Sequence, residues 1–340
     1  MPSVMCVRGV VAESNLGLVL PHEHLFVDLS CYCPAEPQDS EERFLYDQRV
    51  CWGNRGRVVD NPWGIVDNTR LDSLESALEE AGLFATLGGK TIADLSPCPA
   101  MGRNPSGLLR VSEGTGVNVI MSAGRYTLPS MTEEDRRLSV ADLELLFLGE
   151  FINGVDGIRP GLLKTGFVSK IDDEAEVRSL RAVARVQAKV GCAVSVHPYI
   201  WEPRSHRILD IMEEEGCDLR RVILCHQDYL GSNGGYLDSL IKRGAYVEFD
   251  TFGSGWINDP MWQQTDQEKI GFLVKQVGYR NTEHLLVSGD MCLKIMFPRW
   301  GGAGYAHIPQ RVVPAMKAAG LGDDMVCAIT VENPARVLSH

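Results

Sequence analysis

Short apolar runs alternate along the chain with longer stretches in which apolar residues recur three and four positions apart. The short runs cover residues 17–22, 91–95, 117–123, 159–164, 193–197, 221–226, 245–250 and 284–290. Each is aliphatic or β-branched nearly throughout, the pattern of a strand buried on both faces of a parallel sheet. Between them the period changes to that of a helix. Residues 71–87 place Leu71, Leu74, Leu78 and Leu83 on a repeating face. Residues 172–190 open on Asp172, Asp173 and Glu174, which favour a helix N-terminus. That stretch carries Val177, Leu180, Val183, Ala184 and Ala188 at helical spacing and stops at Gly191. Residues 206–215, 235–243, 267–277 and 308–319 behave alike. In 324–338, Pro334 either kinks the helix or starts a further turn. Eight strands separated by helices predict one (β/α)₈ TIM barrel over residues 1–340. A doubly wound open sheet fits less well, because no glycine-rich phosphate loop follows the first strand. Two connections are long. Residues 30–70 are rich in Pro, Asn, Cys and Trp without clear periodicity, and 291–307 contain Trp300-Gly301-Gly302-Ala303-Gly304. Such loops serve as lids or assembly contacts.

Placed on these strands, the polar residues gather at the strand ends. His22 and His24 end the first, Lys164 the fourth, His197 the fifth, His226 the sixth and Asp290 the eighth. A barrel brings strand C-termini to one mouth, where its active site lies. Alternate strand residues share a side, so His22 and His24 both face the axis while Glu23 faces the helix layer. Imidazoles and carboxylates suit Zn²⁺ and similar divalent ions. Lys164 is the exception, since an ammonium beside divalent metal is repelled and costly to bury. Either it is carboxylated by carbon dioxide, which makes it an anionic bridging ligand, or it pairs with Asp290.

Composition narrows the partners. The net charge is −12, and no Lys/Arg cluster breaks it, so nucleic acid and anionic membranes are poor partners. No secretory leader and no apolar run of about 20 residues is read. Ten cysteines are scattered without a CxxC pair, which reads as buried free thiols in a reducing cytosol. The expectation is a cytoplasmic enzyme acting on a small molecule.

These residues carry a resemblance. Pro21-His22-Glu23-His24-Leu25, the strand-end lysine, histidines and aspartate, and Thr330-Val331-Glu332-Asn333-Pro334-Ala335-Arg336 resemble the phosphotriesterase family of the amidohydrolase superfamily, over nearly the whole chain. Cys31-Tyr32-Cys33-Pro34, Val155-Asp156-Gly157, the 247–253 stretch and Gly301 to His307 are similar to its phosphotriesterase-related branch. Many members of that branch have a bridging glutamate in Gly-Glu-Ile-Gly, whereas here Lys164 stands in Leu163-Lys164-Thr165-Gly166. No branch member's substrate is therefore transferred. The resemblance implies two divalent ions, Zn²⁺ with Mn²⁺ or Co²⁺ as alternatives. His22, His24 and Asp290 would hold one, and His197 and His226 the other. Carboxylated Lys164 and a hydroxide would bridge them, and Asp290 would pass a proton to the leaving group. It also implies a homodimer.

For the substrate, Tyr126 follows the third strand where lactonase-like relatives have a tyrosine and organophosphate hydrolases a tryptophan. This favours a carboxyl centre (lactone, ester or amide) over a phosphotriester. Trp52, Trp63, Trp201, Trp256, Trp262 and Trp300 all lie in loops after strands and are expected to wall an apolar pocket, with Trp201, Trp256, Trp262 and Trp300 as substrate contacts. The 251–264 loop has no Lys or Arg, which favours an uncharged or weakly polar substrate. Arg125, Arg204 and Arg299 remain candidates for meeting a carboxylate. The opposing readings are an organophosphate triester hydrolase and a non-catalytic binder on the same scaffold.

Overall fold

Each of the eight apolar runs becomes a strand of one sheet. The computed structural model describes residues 2–340. Its β1 (Leu18–Glu23), β2 (Gly89–Asp94), β3 (Asn118–Ala123), β4 (Leu162–Phe167), β5 (Ala193–Pro198), β6 (Val222–Leu224), β7 (Tyr246–Phe249) and β8 (Leu285–Val287) lie in chain order and are all parallel. The ends of the sheet meet at Ser288, whose Oγ accepts from the His22 N–H, and at Asp290, whose N–H donates to the His22 carbonyl. These contacts bring the sheet round into a barrel, with helices outside it as in other (β/α)₈ folds.

The helices are α1 (Leu74–Thr86), α2 (Pro105–Thr115), α3 (Val140–Asn153), α4 (Glu174–Val190), α5 (Ser205–Glu214), α6 (Gly234–Ile241) and α7 (Asp266–Gly278). The sequence reading missed α2 and α3, whose boundaries are set by Asn104 and Ser139 side-chain caps. It also missed the N-terminal hairpin of Ser3–Cys6 and Gly9–Ala12. The 30–70 connection has more structure than its composition promises, with short helices Ser40–Tyr46 and Arg55–Asp60. Residues 323–338 form one continuous helical run, and Pro334 follows its π-turn Ala328–Glu332 at the start of Asn333–Leu338. All ten cysteines are free, six of them buried. No helix among the described residues is long and apolar enough to cross a membrane.

The strand period of two builds the site. One buried residue per strand (Val19, Ala93, Ile120, Leu162, Ala193, Ile223, Tyr246 and Leu286) fills the barrel floor, sealed from below by Val4 and Cys6 of the hairpin and by Leu338. Two residues further along most strands the inward positions turn polar: Lys164, Ser195, Cys225, Glu248 and Ser288 are all fully buried. Two further on stand His197, Asp250 and Asp290. The layers follow from alternation alone. They also correct one expectation: β4 runs on to Phe167, so Lys164 sits one layer below the strand ends and reaches up from there.

Candidate metal centre and substrate cavity

His22, His226 and Asp290 offer ligand atoms that all lie within 4.8 Å of one another. His24 Nε2 is 3.2 Å from Asp290 Oδ1, and His22 Nε2 is 3.4 Å from the same oxygen. His226 Nε2 and His197 Nδ1 approach to 2.7 Å. The structure thus gathers all five predicted imidazole and carboxylate groups at the barrel mouth. Lys164 Nζ lies beneath them, 3.1 Å from Cys225 Sγ and 3.4 Å from Ser195 Oγ. Among the described residues it forms no ion pair with Asp290, which faces His22 and His24 instead. Gly124 lets β3 pass this point closely: a Cβ there would sit 2.0 Å from the Lys164 carbonyl oxygen.

The outer partners fix which ring nitrogen is bare. Asp250 takes His22 Nδ1 at 2.7 Å and His226 Nδ1 at 2.8 Å. Ser96 holds His24 Nδ1 at 2.9 Å while donating to the Phe26 carbonyl. These bonds leave the Nε2 atoms of His22, His24 and His226 as acceptors turned toward Asp290 and His197. The sequence reading did not single out Asp250. Its signal was its place two residues beyond Glu248 on the seventh strand. Glu23 does point away from the two histidines, but it does not face the helix layer. It accepts from Ser288 Oγ and from the N–H groups of Gly289 and Met291, and so clamps the turn that carries Asp290.

Two of these residues bear backbone strain. His226 and Asp290 have φ of 56° and 46°, a left-handed conformation that non-glycine residues adopt only where the surroundings hold them. Each costs about 1–3 kcal/mol and turns a side chain inward at a strand end. The electrostatics fit metal ligation. Burial, reinforced by Lys164, pushes His22 down to about 4, and burial beside His226 holds His197 well below its ordinary value. Both are neutral imidazoles, the form that binds metal. Burial alone would lower His226 too, but the Asp250 carboxylate raises it and makes its ring more basic. Burial opposes ionisation of Asp290, yet His22 and His24 keep it below the usual carboxylate range. Four imidazoles, one ionised carboxylate and a buried lysine form a donor set that divalent metal fits.

Above this floor lies a cavity of about 260 Å³. His24, His197 and Asp290 open into it, and Leu29, Tyr32, Trp63, Met101, Met261 and Trp262 line it, with Tyr126 and Trp201 at its sides. Tyr126 OH lies 2.7 Å from His197 Nδ1. Trp52, expected on the pocket wall, is exposed and does not line the cavity, and three predicted substrate contacts do not reach it either. Arg125 is ion-paired with Asp135 behind β3. Trp256 donates to the Gly253 carbonyl and lines a separate hollow. Trp300 lines another, beside Lys294 and Arg299. Loop tryptophans after strands share a face of the barrel but need not share a pocket. Of the six loop tryptophans, Trp63, Trp201 and Trp262 line the cavity; Tyr32, Met101 and Met261 were missed as cavity residues, because loops without periodicity give no direction to a side chain. Tyr229, outside that lining, was not singled out either: its ring stands 6.3 Å from that of His226, and its buried hydroxyl has no hydrogen-bond partner among the described residues.

The model of the phosphotriesterase family matches residues 2–338. The chain is 29% identical to N-acetyltaurine hydrolase of Xenopus tropicalis over 99% of this chain and 97% of that protein. Human N-acetyltaurine hydrolase is 28% identical over the same shares. A crystallised resiniferatoxin-binding protein from Rhodobacter sphaeroides superposes with a TM-score of 0.91 and 34% identity, covering 99% of this chain and 94% of that one. A lactonase from Listeria monocytogenes has the same fold, with a TM-score of 0.80 and 22% identity over 99% and 98% of the two chains.

Proposed function

Because the chain belongs to the phosphotriesterase family, we propose that it is a binuclear metal hydrolase attacking a carboxyl centre in a lactone, ester or amide. The observation that carries this is the meeting of the histidine–aspartate cluster with an apolar cavity at one barrel mouth. His22, His24 and Asp290 would hold one divalent ion and His197 and His226 the other, with carboxylated Lys164 as a further anionic ligand. Zn²⁺ fits this nitrogen-rich set best, and Mn²⁺ and Co²⁺ fit it too. Two such ions supply a Lewis acid for the carbonyl and an activated water.

The protein's own groups do the rest. Asp290, ionised between His22 and His24, accepts a proton at its carboxylate and hands it to the leaving group. Tyr126, anchored beside His197, borders the place where the carbonyl oxygen lies and orients it. Asp250 locks two imidazoles at once. The cavity excludes water and takes a small, apolar or weakly polar substrate. The relatives named for hydrolysis of an acyl-amide support the carboxyl-centre reading.

The test is reconstitution with Zn²⁺, Mn²⁺ or Co²⁺ plus bicarbonate, followed by a lactone, ester and amide panel beside a paraoxon-like triester. Turnover of the triester alone would sink the proposal. Intact mass measurement should show one carbon dioxide added, lost in Lys164→Ala together with one of two metal equivalents.

A further inference from the structure

The wall of the cavity above the candidate metal centre has no cationic side chain among the described residues. None of its described lining residues is Lys or Arg, and Asp290 is its one carboxylate. The three arginines that could have met an anion are engaged elsewhere. Arg125 pairs with Asp135, Arg204 binds Asp172 and the Ser169 carbonyl, and Arg299 donates to Ser76 Oγ on the far side of the 30–70 connection. Lys164 is wholly buried beneath the floor. What the cavity does offer is aromatic surface. Trp63 stacks on Trp262 with ring centroids 5.8 Å apart and planes 22° from parallel. Tyr32 meets Trp63 at 6.1 Å, and its hydroxyl is tied to Thr127. Met101 and Met261 line the same cavity and add polarisable thioethers to its wall.

We propose that this cavity is a subsite for an uncharged aromatic ring carried by the acyl or alkoxy part of the substrate. We infer with it that amino-sulfonate amides, the class for which the curated relatives are named, are excluded here. The inference rests on the hydrolase reading above and names its substrate class. Size fits: an apolar cavity of about 150 Å³ takes up one benzene, so 260 Å³ holds a ring and the scissile group. Ring stacking against the Tyr32–Trp63–Trp262 array supplies offset and edge contacts that an alkyl group does not. A sulfonate fares badly for the same reasons. In an N-acyltaurine it stands two carbons and a nitrogen from the scissile carbon, so the metal floor cannot serve both ends. Beyond the metal floor, which the scissile group occupies, the cavity offers it no Lys or Arg, so it would be a desolvated anion among aromatic rings.

The experiment is calorimetric titration of metal-reconstituted full-length protein with benzylacetone, the non-hydrolysable ketone counterpart of benzyl acetate, and with N-acetyltaurine. Saturable benzylacetone binding and no N-acetyltaurine binding are expected. Trp63→Leu and, separately, Trp262→Leu should each weaken benzylacetone on the order of 10-fold, with metal content and circular dichroism unchanged. Turnover should favour benzyl acetate over N-acetyltaurine on the order of 100-fold or more in kcat/KM. Equal or tighter N-acetyltaurine binding, or unaltered benzylacetone affinity in both variants, overturns the subsite. If no ester, lactone or amide is hydrolysed while benzylacetone binding and its loss persist, the subsite stands and the hydrolase reading falls.

Discussion

The floor of the site draws its residues from six strands and the positions just past them: His22 from β1 and His24 after it, Lys164 from β4, His197 from β5, and His226, Asp250 and Asp290 after β6, β7 and β8. The wall draws its residues from connections: Tyr32 and Trp63 from the 30–70 segment, Trp201 after β5, Met261 and Trp262 after β7. The floor is held by buried hydrogen bonds and by two left-handed residues that the surrounding sheet keeps in place. The wall is held by ring contacts and by single ties between loops, such as the Asn258 N–H to the Val59 carbonyl. A strand fixes a side chain to within the pleat, so the floor suits groups that must meet at ligand distance. Loops tolerate change, so the wall suits the choice of substrate.

The sharpest way to break this division is to change the floor without touching the wall. Asp290→Asn should lower kcat about 10²–10⁴-fold, as expected for loss of a proton-transferring group, while benzylacetone affinity changes little. Steady-state kinetics beside calorimetry on the same preparation check it, and retention of a tenth of the turnover would remove Asp290 from proton transfer. Asp250→Asn acts one step back. It disturbs the bonds to His22 and His226 together and should weaken metal binding about 10–100-fold, read by competition with a chelator. If only one of two metal equivalents is weakened, Asp250 supports the two rings unequally.

The same division explains what the sequence made legible. All eight barrel strands could be found because double-sided burial writes a continuous apolar run, and the ligand candidates because they terminate those runs. Glu23 and Asp250 were harder, since a residue that acts by holding another shows no distinct residue type. The depth of Lys164 was hidden because strand ends are read only to within a few residues, and β4 continues three beyond it. Trp63 was one loop tryptophan among several. Only the fold shows that it faces Trp262 while Trp256 and Trp300 turn to other hollows.

A third test falls between floor and wall. Glu80 on α1 is buried beneath the 301–307 segment, where the Tyr305 N–H donates to it, while Tyr305 OH donates to the His24 carbonyl. Burial raises its carboxyl from 4.5 to about 8, with Glu79 adding to the effect. A carboxyl that protonates more readily in the folded state binds more protons there. Stability from this group is therefore full below 4.5, falls as pH rises to about 8, and is level above that. Glu80→Gln should flatten this part of the pH dependence, by up to about 1.4 kcal/mol per pH unit. Denaturant unfolding at several pH values measures it, and an unchanged slope would show that Glu80 is ionised in the fold.

The smallest effect should come from the wall alone. Arg55 donates through Nε to the Trp300 carbonyl at 2.7 Å and lies over Trp256 at 5.1 Å and Trp52 at 5.8 Å. It fastens the 30–70 connection to the loops after β7 and β8 without lining the cavity. A cation–π contact of this partly exposed kind contributes about 0.5–1 kcal/mol. Arg55→Ala should therefore raise KM for an aryl ester only a few-fold, by letting Trp63 and Trp262 separate, and leave metal stoichiometry and kcat unchanged. Hydrogen exchange should quicken in residues 52–63 and not at the strand ends. A fall in metal content instead would show that floor and wall are one cooperative unit, because a loop tie would then be holding ligands that the barrel is argued to hold by itself.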